Sequence, residues 1–247
     1  MIYLLIVVFA ALVFAAGKGQ TVPPLPAYLP IIERNDPPPT NTPLPTPTLT
    51  PTPIPTNTLA ILGTNTFVPF DGSNVVLVVG EVINNTSTHA RNAVIDAVLR
   101  DVNGRLVDGG RSYVIIDLLP PGMKSPFVVV FDFAPAFSTY ELAASWNTDT
   151  QAAYSLTVLE YEHFFDNPDA FHVRGEVRNQ TGSQRVDVAV ILTMYDHAGA
   201  VIGADSSHVQ QFIAPNFSAP FEVDVSVWKG RPDREQVGSY SVVAIGE

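Results

Sequence analysis

GEVINNT, residues Gly80–Thr86, and GEVRNQT, residues Gly175–Thr181, are nearly the same heptapeptide written twice, ninety-five residues apart. The likeness runs on in both directions. At the same offset Asp101-Val-Asn-Gly104 falls on Asp196-His-Ala-Gly199, and Pro120 falls on Pro215. SPFVVVFDF from Ser125 then falls on APFEVDVSV from Ala219 with one residue lost between. Each unit closes on a tyrosine-led apolar stretch, YELAASW from Tyr140 and YSVVAIG from Tyr240. Two units of about 95 residues with turn signals at matched places read as a duplicated module.

Alternation gives the local structure. Phe171, Val173, Gly175 and Val177 share one face of a strand, with His172, Arg174, Glu176 and Arg178 on the other. Val188, Val190, Leu192 and Met194 line a second strand, and Phe221, Val223, Val225 and Val227 a third. Asp101 to Gly104 and Asp196 to Gly199 suit tight turns, in which the aspartate accepts backbone hydrogen bonds and the glycine takes positive φ. Gly80 and Gly175 sit at crowded positions on a core strand, and Asn84 and Asn179 end that strand by holding the turn that follows. About seven short strands per unit, with turns every ten residues or so, describe an all-β chain of two tandem Ig-like antiparallel sandwiches, over 60–150 and 151–247.

The chain ahead of them differs. Residues Ile2–Ala16 are all apolar, so 1–19 reads as a helical signal peptide or signal anchor, short of a full bilayer span. Within 20–59, Pro37–Thr58 contains seventeen Pro or Thr among twenty-two residues, which excludes helix and sheet and predicts a disordered, extended linker. An apolar start followed by a polar stalk places the protein outside the cell or on its surface. The expectation is that it is secreted, or held to the membrane by an uncleaved first segment.

Gly-Glu-Val-x-Asn-x-Thr, the strand ending Leu192-Thr-Met-Tyr195-Asp196, Gly199, and a proline turn before Phe221 together resemble an FxLYD-type domain. The resemblance covers nearly all of residues 60–247. It implies Ig-like modules of prokaryotic envelope proteins, mostly without an assigned activity. The first unit departs from the motif, with Arg100 where the second has Tyr195.

Function classes narrow by exclusion. A dispersed net charge of −11 argues against nucleic acid. The absence of cysteine removes thiolate chemistry and disulfides. His89, His163, His172, His197 and His208 show no metal-ligand spacing, and His172 and His197 are expected to be exposed. No nucleophile elbow, P-loop or dinucleotide fingerprint occurs. The expectation is a non-catalytic structural or adhesive surface module without cofactor or metal, meeting a protein or envelope partner or itself. The alternative is a small-ligand or carbohydrate-binding module using Tyr161, Phe164 and Phe165; a cryptic hydrolase comes third. Asp166, Asn167 and Asp169 read as a polar turn rather than a calcium loop. The sequons at Asn84, Asn85, Asn179 and Asn216 read as turn chemistry rather than glycan sites.

One face resists the structural reading. Leu77, Val79, Ile83, Val128 and Val130 fall at outward positions of the first unit that are polar in the second. A patch of that kind needs a cover: the second unit, the chain around Leu59 to Leu62, or another molecule.

Overall fold

The computed structural model describes residues 57–69, 73–132, 136–151, 154–166, 170–209, 212–226, 229 and 235–247. The leader, nearly all of the linker, Val227, and Asn167 with Asp169 lie outside the described residues. Among the described residues every regular element is a β-strand, so the chain is all-β.

The first half holds β1 (Leu59–Phe67), β2 (Val76–Asn84), β3 (His89–Arg100), β4 (Leu106–Tyr113), β5 (Leu118–Leu119), β6 (Lys124–Phe131) and β7 (Thr139–Asp149). One sheet runs β1-β2-β6; the other has β3 at its centre with β4, β5 and β7 paired to it. The second half holds β8 (Tyr154–Asp166), β9 (Ala170–Arg178), β10 (Ala189–Tyr195), β11 (Val201–His208), β12 (Ser218–Ser226) and β13 (Ser239–Gly246). Their order, β11-β10-β13-β8-β9-β12, is continuous because the long strand β8 serves two sheets. Its first residues pair with β13, and the rest pair with β9.

Matched by position, β8-β9-β12 repeats β1-β2-β6, and β11-β10-β13 repeats β4-β3-β7. The single bridge Arg185–Ile213 stands where β5 stands in the first half. Within each half the inward side chains of two facing sheets meet. Val78, Val82, Ile95, Leu99, Phe127 and Val129 fill the first core; Phe171, Val173, Leu192, Met194, Val223 and Val225 fill the second. Period-two alternation puts those residues inside, because every second side chain of a strand points to the same face.

The recurring heptapeptide has a local cause in each half. The Asn84 amide donates to the carbonyls of Thr88 and Leu119 (2.9 and 2.8 Å), and its oxygen accepts from the Thr86 N–H and hydroxyl. Asn179 does the same with Ser183, Ile213 and Thr181. Both asparagines are fully buried, so each saturates its four bonds without water. Gly80 faces the β-bulge between Leu62 and Asn65, where a Cβ would lie 2.7 Å from Phe127 and 2.9 Å from Thr64. Gly175 lies beside the corresponding bulge, its Cβ position 2.7 Å from the Glu160 carbonyl.

The Asp101 carboxylate accepts from the Asn103 and Arg105 N–H groups, and Asp196 accepts from those of Ala198 and Ala200. Gly104 and Gly199 both take positive φ. One correspondence needs correcting. The Gly122 N–H donates to the Asn84 carbonyl and the Asn216 N–H to the Asn179 carbonyl, and both donors have positive φ. Pro121, not Pro120, therefore matches Pro215, and the lost residue lies before β5. β1 also begins at Leu59, a core residue one position inside the segment assigned to the linker.

Candidate functional site

The outward face of β1-β2-β6 is covered from within the chain. Leu77 and Val79 are wholly buried against Val201 of β11, with Phe67, Val75, Val128 and Tyr195 around them. Gly63, in the β1 bulge, approaches Gly199 and Val201 at the turn into β11. Ile191 and Ile245, outward on β10 and β13, are buried with the first-half cluster. Of the three covers left open by the sequence, the second half is the one realised. Leu77 and Val79 are thus not available to a foreign partner. Ile83 and Val128 are half-buried, and Val130 remains 48% exposed.

A polar group is set into this apolar seam. Glu81 is 3% exposed and accepts from the Tyr195 hydroxyl at 2.7 Å and from the Lys124 ammonium at 2.6 Å. Burial, and next the neighbouring carboxylate, push the Tyr195 pKa up to about 12. The phenol therefore stays a donor through the ordinary pH range. Around the rim, the Arg91 guanidinium pairs with Asp149 and Asp117 and donates to Gln151, which itself donates to Glu247. Tyr195 and Asp196 were singled out by motif alone. Their structural roles differ: Asp196 holds its turn, and Tyr195 crosses the seam.

Comparing repeated positions explains why the first unit lacks that tyrosine. Outward on β2 stand Leu77, Val79, Glu81 and Ile83; at the same places on β9 stand His172, Arg174, Glu176 and Arg178. Outward on β10 stand Ala189, Ile191, Thr193 and Tyr195; on β3 they are Val94, Asp96, Val98 and Arg100. Leu77, Val79, Ile83, Ile191 and the tyrosine on the two layers that meet stand against His172, Arg174, Arg178, Asp96 and Arg100 on the outer ones, where β3 keeps Val94 and Val98. Arg100, facing water, makes a two-pronged pair with Glu141 at 2.7 and 2.9 Å.

The three aromatic candidates do not form one platform. Phe164 lies on the outer side of β8, its ring stacked on His172 at 4.8 Å with Arg174 over it. His172 is consequently only 16% exposed, which corrects its expected exposure; Glu222 lies 3.4 Å from its ring. Tyr161 and Phe165 lie on the inner side with His163, which alternation already allows, since they share parity and Phe164 does not. Tyr161 meets Tyr240 edge-on at 6.1 Å, Phe165 meets Phe171 at 5.0 Å, and His163 Nδ1 is 3.0 Å from the Tyr240 hydroxyl. His163 and Phe165, with Phe164, line a cleft of about 660 Å³ where β8 and β13 diverge. His197, by contrast, is exposed in its turn. Among the described residues no group of three His, Cys, Asp or Glu is placed to hold a metal.

No protein-family model matches the chain, and no curated protein does. Among solved structures, red sea bream transglutaminase matches 74% of this chain at 11% identity. This chain spans 30% of that one, and the TM-score is 0.22. A likeness at that score carries no argument about fold or activity.

Proposed function

We propose that this chain is a non-catalytic, exported cell-surface protein: two tandem Ig-like sandwiches of FxLYD type, carried on the extended Pro/Thr segment. Its role is structural or adhesive, holding a stiff two-module head away from the envelope to meet protein or envelope partners. The observation that carries this reading is the division of polarity over repeated positions. The two facing layers are apolar and join the halves. The two outer layers place Asp96, Arg100, His172 and Arg174 where the facing layers have Ile191, Tyr195, Leu77 and Val79. An array built this way stiffens internally and stays soluble at its ends, as capped repeat arrays do. Contact with partners then falls to loops and strand ends rather than to sheet faces.

The test is location. Antibody raised against residues 57–247 should label intact, unpermeabilised cells producing the full chain, and deleting residues 1–19 should abolish the labelling. Full-length protein recovered only from the cytosol would sink the proposal.

A further inference from the structure

The two halves answer the same folding requirements with the same kinds of residue almost everywhere, so a place where they diverge without a folding reason is informative. One such place is the inner side of the strand that opens each half. Register pairs Thr66 with Val78 and His163 with Val173, ninety-five residues on, so Thr66 and His163 are equivalent. Thr64 and Tyr161 are equivalent too, each packed against the strand glycine, Gly80 or Gly175. Val68 corresponds in turn to Phe165. Three consecutive inward positions thus change from Thr, Thr and Val to Tyr, His and Phe.

The tyrosine opposite them is retained. In the first half the Thr64 and Tyr140 hydroxyls meet at 2.9 Å across this corner. In the second half Tyr240 meets the His163 imidazole instead, and the cleft of about 660 Å³ borders them. Its walls include His163, Phe164, Phe165, Phe171, Ser239 and Tyr240. Tyr161, 47% exposed, stands next to Tyr240 at its edge.

That size falls within the usual range for small-molecule sites, roughly 300–1,000 Å³. Among the described residues no Asp, Glu, Lys or Arg lines it, although the chain as a whole is strongly acidic. An uncharged wall selects against ions. Aromatic rings beside a hydroxyl, an imidazole and open backbone match a ligand that is apolar on its faces and hydroxylated at its rim. We propose that this cleft binds a neutral sugar ring, with the C–H face of the sugar against the aromatic side chains and its hydroxyls paired to His163, Ser239 and Tyr240. The inference goes beyond the structural or adhesive reading and does not depend on it, since that reading uses only the seam and the outer layers.

The experiment titrates the full chain with glucose, galactose, mannose and N-acetylglucosamine, read by saturation-transfer NMR and calorimetry. The decisive variant carries Tyr161→Thr with His163→Thr, the residues the first half uses at these positions. At least one sugar should bind the parent with a Kd in the millimolar range or tighter, and the variant should lose tenfold or more. Tyr240→Phe, which keeps the ring and removes the hydroxyl, should lose about threefold or more. Phe217→Ala, an exposed aromatic that does not line the cleft, should leave affinity unchanged. Thermal melts confirm that each variant is folded, and Tyr240→Phe decides the matter if the double variant is not. The proposal is overturned if none of the four sugars binds, if 4-methylphenol binds in their place, or if folded double variant and Tyr240→Phe both bind as the parent does.

Discussion

Asn84 and Asn179 each hold two carbonyls, an N–H and a hydroxyl in a place water does not reach. Truncating either to alanine removes four hydrogen bonds, each worth about 0.5–1.5 kcal/mol net, while the Thr88, Ser183 and Ile213 carbonyls keep a second donor. Asn179→Ala should therefore lower stability by roughly 3 kcal/mol in urea unfolding, and Asn84→Ala by a similar amount. A loss under 1 kcal/mol would mean water replaces the amide. Because both amide hydrogens are already donated inside the fold, these two sequons are poor glycan acceptors once the chain is folded. Tyr195 makes a different prediction. Its folded pKa, about 12, lies above the ordinary value of 10, so its contribution is complete below pH 10 and is lost as pH rises towards 12. Tyr195→Phe should flatten that alkaline loss when unfolding is followed from pH 9 to 12. Tyr240, also raised by burial, keeps some slope. The asparagines were legible in sequence because the same turn is written twice. The role of Tyr195 was not, because an outward residue on a strand does not declare whether water or another sheet will face it.

Elements behave as their alternation predicts until a bulge shifts them. The bulges in β1 and β8 each add a residue opposite a glycine-bearing strand, and the glycine admits the crowded backbone. At Gly80 a methyl group would press on the Phe127 ring and the Thr64 methyl; at Gly175 it would press on a carbonyl and a Cα–Cβ unit that cannot rotate away. Both Gly→Ala changes should destabilise, Gly175→Ala more than Gly80→Ala, with the former costing about 2 kcal/mol or more in urea midpoints. Equal small effects would show that β8 slides in register to make room. The glycines were readable as crowded positions, yet the bulges were not, since one added residue is invisible in a chain whose alternation simply resumes. The same limit misplaced the proline turn by one position, Pro120 being aligned where Pro121 belongs.

Among the described residues there are four sheets, with a core inside each half and a third apolar contact between halves. Burying a valine or leucine side chain is worth about 1.5–3 kcal/mol, so Leu77, Val79 and Val201 together couple the halves appreciably. The parent should unfold in one calorimetric transition. Val79→Lys, which places a charge in the seam, should split it into two or shift it down by several degrees. An unchanged melt would mean the halves are energetically separate. In sedimentation the parent should remain a monomer across a concentration series, because Leu77 and Val79 are already covered within the chain. The sequence revealed that face and its possible covers, but choosing among them required knowing which layer of the second half turns towards it.

The seam also has a timetable. Synthesis proceeds from the N-terminus, so β1, β2 and β6 can assemble before Val201 exists. About seventy residues separate Val128 from Val201, and at roughly 5–20 residues per second that interval lasts about 4–15 seconds. For that time Leu77, Val79 and Val128 belong to a nascent sheet whose cover has yet to be translated. A ribosome stalled between β7 and β10 would therefore hold a folded half with an adhesive flank, a natural point of capture for chaperones and, without them, of aggregation between neighbouring chains.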